Sequence, residues 1–454
     1  MPISCTTSAC QVKLPYNHFI DLQYQDYTRV ISADCSKNLV VFTDDAGLID
    51  QDDSLSGAYL SADNRRVGVF SSDDVALHWS ECSRTYQELA WFFNASIGAG
   101  NRPASITVAL RDSGESWVEA YSELTRCFSC FRWVTHVSHD INDDPFHDLA
   151  DQITFGLLAR SDRKIPIFPT ADSTALTADF AETGSIPGQS GSTQSGIAWA
   201  LMWHDAGCTY SCDNGATIKD WYQPDHIMLA AVGASYGFSD ANYNWTAFMK
   251  PPQGWPGART STLSQNEIIN VTGTAPSTGF MTDATRSVNV YVGSEANTSG
   301  FLEGITDNGY FIDDIAKRFA IEIDMMKAQL DFIHGATYNP GLTSEADLNK
   351  FDAIMLSKIQ SYISKNIFPN RPPARIADNI DQYPDYKWST RFSNIIAGGD
   401  GFAWVLARQP LDEQSVADQS QRFGPVYNLC FIGNRALHRP RIIICSTIKP
   451  SQIA

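Results

Sequence analysis

The chain runs to 454 residues, 43% hydrophobic and 11% aromatic, which excludes a disordered chain and calls for two to four packed domains. Its formal net charge of −18, from 33 Lys/Arg against 51 Asp/Glu, excludes nucleic acid as an expected partner. No apolar stretch approaches the roughly 20 residues of a membrane helix, and Met1–Cys5 lacks the character of a secretory leader, so folding in a cytoplasm without membrane insertion is expected.

Residues 1–30 have scattered apolar positions and read as an extended arm. Leu39–Phe42 and Val67–Phe70 read as strands, and Ser71–Asp74 as a helix N-cap cluster. A second cap at Ser83 opens a helix with Tyr86, Leu89, Ala90 and Phe93 on one stripe; Asn101-Arg102-Pro103 breaks it before a strand at Ile106–Leu110. Strand, helix, strand predicts an α/β unit. Helical patterns recur near Trp117–Phe131 and Pro145–Leu158, and the Ser/Thr/Gly-rich Ala171–Ser195 reads as a linker or long loop. From Ile197 to about Gly304 the runs are short, with no long helical period, which predicts a β-rich or irregular domain.

The last third is more regular. Ile312, Ile315, Phe319, Ile323, Met326, Leu330 and Ile333 form one seam along a helix over Asn308–His334. After a turn at Thr337–Leu342, Leu348, Phe351, Met355, Ile359 and Tyr362 mark a second helix that ends by Pro369, and the two are expected side by side. Phe402–Ala407, Val426–Ile432 and Arg441–Ile448 read as strands. The run Ile442-Ile443-Ile444 has little chain after it to cover it, so it either closes the protein's own sheet or adds to a neighbour's. Charge is uneven: Arg371–Ala454 holds ten Lys/Arg against seven Asp/Glu, leaving residues 1–370 at −21. Ser357–Ala377 and Arg435–Ala454 contain bases and no acids, as two surfaces facing different surroundings would.

Signs of catalysis are few. There is no Walker A, GxGxxG or HExxH sequence. Gly233-Ala234-Ser235-Tyr236-Gly237 has the GxSxG form of a nucleophile elbow, with Ile227–Val232 in place of the strand that must precede it. The Asn and Asp residues that follow do not suit an elbow helix, so a plain turn is the preferred reading of Ser235. Cys127-x2-Cys130 and the series His204, Cys208, Cys212 have metal-like spacing. The preferred reading is that Cys127 and Cys130 are packed thiols on an apolar helix with Phe128, Phe131 and Trp133; the ten cysteines are too dispersed for a disulfide scaffold. No catalytic residue, metal or cofactor is expected.

Three groups of segments, in order, resemble the tail sheath proteins of contractile-tailed bacteriophages. The first joins Val69-Phe70, Val75-Ala76, Ser83–Tyr86, Trp91-Phe92-Phe93 and Arg102-Pro103 to the strand at Ile106–Leu110. The second is Ser287–Val292 followed by Gly309–Asp313; the third is Ala417-Asp418, Arg422, Pro425 and Ala436-Leu437-His438. The resemblance spans about residues 65–450 and is loose from Asp112 to Phe280; Thr337–Gly341 and Gln419 depart from the family's pattern.

The resemblance implies a multidomain α/β (α+β) protein. Its expected parts are an N-terminal arm (1–30), an outer α/β domain (31–165), a β-rich domain (166–304), an inner tube-proximal α/β domain with long helices (305–434) and a C-terminal arm strand (435–454). It implies a virion tail subunit that polymerises helically around a tail tube protein, meets baseplate and tail terminator proteins, and contracts to drive genome ejection. Arg441, Ile442, Ile443, Ile444, Cys445 and Ile448 would then add a strand to a neighbouring subunit. Lys358, Lys365, Arg371 and Arg375 would face an acidic tube through rim-type pairs of about 0–1 kcal/mol each, weak enough to release on contraction.

Overall fold

The computed structural model describes residues 38–47, 60, 65–80, 83–94, 105–112, 114–137, 149–170, 196–201, 225–236, 288–293, 299–302, 304–307, 310–334, 345–368, 404–408 and 427–431, with shorter stretches between 203 and 281 and at 415–416. Both expected arms and the Ala171–Ser195 stretch lie outside the described residues.

The strands are β1 (Asn38–Thr43), β2 (Arg66–Val69), β3 (Ser105–Leu110), β4 (Trp133–His136), β5 (Ile165–Thr170) and β6 (Ala198–Leu201). The short β7 (Trp203–His204), β8 (Thr209–Ser211), β9 (Thr217–Lys219), β10 (Tyr222–Gln223), β11 (Thr274–Ala275) and β12 (Phe280–Met281) follow, then β13 (Val288–Gly293), β14 (Ser299–Leu302), β15 (Trp404–Arg408) and β16 (Tyr427–Phe431). The helices are α1 (Ser72–Ala76), α2 (Arg84–Asn94), α3 (Trp117–Cys127), α4 (Leu149–Ser161), α5 (Asp225–Tyr236), α6 (Ile312–His334) and α7 (Glu345–Ser364).

Eight strands form one sheet in the order β14-β13-β6-β5-β4-β1-β3-β2. The six from β3 to β13 run parallel, and antiparallel partners stand only at the edges, β2 and β14. Parallel strands joined by crossovers need cover on both faces, which is why β1, β4 and β5 are buried almost throughout instead of alternating. One face carries Leu39, Val41, Ile106, Val108, Trp133 and Ile167 against α2, α5 and the start of α6. The other carries Val40, Phe42, Val134, Phe168 and Trp199 against Trp117, Tyr121, Phe155 and Ala159 of α3 and α4. The result is a three-layer α/β/α arrangement.

Local signals placed the early elements well. Ser71 caps α1 by accepting from the Asp74 N–H, and Ser83 accepts from the Tyr86 N–H at 3.0 Å at the start of α2. Ser116 and Glu119 form a capping box on α3. The stretch expected to be β-rich differs in two ways. Its strands β6, β13 and β14 complete the same sheet as β1–β5, which therefore runs across the expected boundary at 165/166. It also contains α5, whose residues Ile227–Val232 and Ala234 are all buried. A helix apolar on every side has no polar stripe, so it shows no 3.6-residue period to read.

Gly233 to Tyr236 of the GxSxG match fall inside α5, so Ser235 belongs to a helix and not to the strand-to-helix turn of a nucleophile elbow. Gly233 has a packing role: a Cβ there would lie 2.5 Å from Cη2 of the buried Trp133 ring. The last elements form a second core, with Ile321 and Met325 of α6, Phe351, Met355, Ile359 and Tyr362 of α7, and Leu406 of β15. β15 pairs antiparallel with β16, and Arg408 of β15 lies 3.3 Å from Asp352 of α7.

Gly233→Ala is expected to destabilise the chain even though alanine favours a helix by about 1 kcal/mol. Overpacking against a rigid buried indole costs about 1–3 kcal/mol, and a lower denaturant midpoint at unchanged slope is the expected reading.

Candidate functional site

At the amino ends of the parallel strands the sheet meets α6 through charged side chains. Helix α4 ends in a Schellman motif: the Lys164 N–H donates to the Ala159 carbonyl at 2.9 Å and the Arg163 N–H to the Arg160 carbonyl at 2.9 Å. Arg163 holds the left-handed position at φ 59°, where glycine is usual. Its side chain crosses to the long helix, with Nε donating to Glu322 Oε2 at 2.8 Å, and the two side chains are only 3% and 7% exposed. Arg318 approaches the other Glu322 oxygen at 3.4 Å, and the Arg132 guanidinium lies over the Phe319 ring at 5.8 Å. Burial pushes the Arg132 guanidinium down to about 10, while the Glu322 carboxylate pulls it back up.

Lys164 closes the loop before β4. Its Nζ donates to the Ser129 and Phe131 carbonyls at 2.7 and 2.8 Å and sits 3.6 Å from the Phe131 ring centre. Burial, with the Arg132 charge beside it, holds this ammonium well below the usual lysine range. Asn38 Nδ2 donates to the Cys130 carbonyl in the same loop at 2.9 Å. Cys130 lies beyond the end of α3 and is disulfide-bonded, which corrects the expectation of a packed thiol on the helix. At the next amino end, the Gly196 N–H donates to the Asp307 carboxylate.

The carboxyl ends of doubly wound strands are where such folds hold ligands, at the point where the order reverses. Here that point lies between β1 and β4, and its charged groups meet one another. Arg111 clasps Asp44 through two bonds of 2.8 and 3.1 Å and lies 4.0 Å from the Trp117 ring centre. Thr43 and Thr85 share a hydroxyl bond of 2.9 Å, and His226 Nε2 is 3.2 Å from Glu88 Oε2 in full burial. His136 stacks on Trp117 at 4.8 Å and meets Phe168 at 5.0 Å. Among the described residues no group of His, Cys, Asp and Glu is arranged to hold a metal, and no helix is long and apolar enough to cross a membrane.

Of the expected site residues, Lys358 is on α7 with Nζ donating to Asp324 Oδ1 of α6 at 2.8 Å, and the Tyr362 hydroxyl takes the other Asp324 oxygen at 2.6 Å. Lys358 thus ties the helix pair together, with its side chain 37% exposed. Lys365 is exposed at the turn that ends α7. Arg371, Arg375, Arg441, Ile442, Ile443, Ile444, Cys445 and Ile448 lie outside the described residues, as do Cys208 and Cys212. The Arg163–Glu322 junction was not foreseen. Its trace in the sequence is the pair of bases Arg163-Lys164 set directly before a buried strand.

No known family profile matches the chain, and no curated protein sequence does. Solved structures share its fold. A chain in the cryo-EM structure of the anti-feeding prophage (AFP) baseplate aligns with TM-score 0.52 and 10% identity, over 93% of this chain and 96% of that one. A chain in the sheath complex of the PVC extracellular contractile injection system, in its contracted state, aligns with TM-score 0.53 and 13% identity, over 92% and 93%. At these identities the likeness is one of fold, and it extends across nearly the whole of each chain.

Two predictions follow from the buried charges. At the left-handed cap, glycine would relieve about 1 kcal/mol of backbone strain. Arg163→Gly is nonetheless expected to lower stability by about 3 kcal/mol, since removing one member of a buried pair costs more than that relief; chemical denaturation reads the sign. His136 is held down to about 3 by burial, His226 and Arg111, against 6.5 in an unfolded chain. The unfolded state therefore binds the proton first, and this contribution to stability is whole above pH 6.5 and lost as pH falls towards 3. Asp313, raised to about 6 by burial, acts with the opposite sign between about 4 and 6. Replacing His136 with Phe, which keeps the ring stack, is expected to flatten the loss of melting temperature between pH 7 and pH 5.

Proposed function

We propose that this chain is a sheath subunit of a contractile tail, a structural protein that polymerises helically around a tail tube and catalyses nothing. The observation that carries the reading is the extent of the fold likeness: two chains from contractile assemblies align over 92–93% of this one, so the shared architecture is the whole chain and not an isolated α/β unit. The ordered sheath-like segments from Val69 to His438 support the same reading. Because one of the two aligned chains comes from a baseplate structure, a baseplate component is the second reading.

In the sheath reading, subunits join head to tail by an interface that does not close on itself, which generates a helix of copies. Arg441–Ile448 supplies a strand to the next subunit by augmentation. Contraction is a rigid-body rearrangement about such links from a kinetically trapped extended form, with the energy stored at assembly because the sequence carries no phosphate loop. The partners are further copies of the chain, the tube, the baseplate and the tail terminator, and the site of action is the tail of a virion. Lys358, Lys365, Arg371 and Arg375 would face the tube, and Lys358 also bonds Asp324 within the helix pair.

The purified chain, concentrated and viewed by negative-stain electron microscopy, is expected to form hollow tubes or rods that disappear when residues 441–454 are deleted. Charge reversal at Lys365, Arg371 and Arg375 is expected to spare those rods and abolish co-assembly with the tube. A chain that stays monomeric with tube and baseplate present would overturn the sheath reading.

A further inference from the structure

We propose that the buried pair Arg163–Glu322 sets the direction in which α6 leaves the sheet, and with it the placement of the α6–α7 helix pair; both are positioning residues. The inference concerns the single chain and stands whether or not it assembles as a sheath.

Helix α6 belongs to two cores. Ile312, Ile315, Ala316 and Phe319 pack with the sheet, and Ile321 and Met325 pack with α7 and β15. Apolar contact is not directional, so packing alone leaves the helix some freedom to roll or slide between the two. Glu322 stands where one core gives way to the other, and its 2.8 Å bond to Arg163 fixes both the roll and the axial position there. Arg318 and Arg132 surround the same carboxylate from α6 and from the loop before β4.

A second observation makes Arg163 more than a helix cap. The turn after α7 has the same form as the one after α4, with the Ile367 N–H donating to the Tyr362 carbonyl and a left-handed residue at φ 59°. There the left-handed residue is Asn366, a type that tolerates the conformation. After α4 an arginine takes the strained place, and its side chain reaches a helix 159 positions later in the chain. A buried ion pair adds little net stability over an apolar pair of equal size, and fixing register is its best-attested use. Both ends of this pair are held: Arg163 by the cap geometry, Glu322 by helix packing on either side.

The test is a distance measurement in the full chain. Ketone-bearing residues introduced at Arg126 on α3 and Gln360 on α7, both exposed, carry spin labels for pulsed dipolar spectroscopy. The parent chain is expected to give one narrow distribution. The apolar double variant Arg163→Met/Glu322→Leu is expected to keep the parent melting temperature while the distribution broadens or its mean shifts. Glu322→Gln, which keeps the side-chain shape, is expected to broaden it as well. A parent-like narrow distribution in the double variant would overturn the proposal. Loss of cooperative unfolding in both variants would also overturn it, because the pair would then be a requirement of folding and not a choice of orientation.

Discussion

Six neighbouring strands of the sheet run parallel, and parallel strands joined by crossovers leave no face that water can cover. Most of the architecture answers that demand. Helices α3 and α4 close one face with an aromatic layer in which Phe42, Trp117, Tyr121, Phe155 and Phe168 meet edge to face, tilted or stacked. On the other face α5 lies so deep that it is apolar on all sides, and Gly233 lets its backbone approach Trp133. The beginning of α6 completes the cover, which commits the rest of that helix to project away and found a second core with α7.

Charge is divided between the two ends of the sheet. At the amino ends, Arg132, Arg163 and Lys164 engage carbonyls, a ring and the Glu322 carboxylate, and Arg163 reaches a helix 159 positions away. At the carboxyl ends, Asp44 with Arg111, Thr43 with Thr85 and Glu88 with His226 draw neighbouring elements together. Among the described residues, the polar side chains at the carboxyl ends of β1 and β3 pair with one another.

Fold likeness at 10–13% identity over nearly whole chains has a simple physical basis. Cores accept many combinations of apolar side chains provided that volume and patterning are kept, so a three-layer sheet with an attached helix pair survives replacement of most residues. Directional bonds are less forgiving. The Arg163–Glu322 junction and the Asp324–Lys358–Tyr362 link within the helix pair are where this chain's own geometry is specified.

Read alone, the sequence determined the elements whose signals are local. Caps at Ser71 and Ser83, the strand at Ile106–Leu110 and the seams of α6 and α7 all lie within a few turns or residues of what they specify. It also displayed the charge asymmetry and the ordered sheath-like segments. Tertiary structure decided what local signals cannot carry. A helix buried on every side has no period, so α5 was legible only once its neighbours were in place. The single sheet running from β2 to β14 depends on pairings such as Val288 with Trp199, residues far apart in the chain. Nothing local in the sequence marks Glu322, whose partner Arg163 stands 159 positions away, because only folding puts two such charges out of water together.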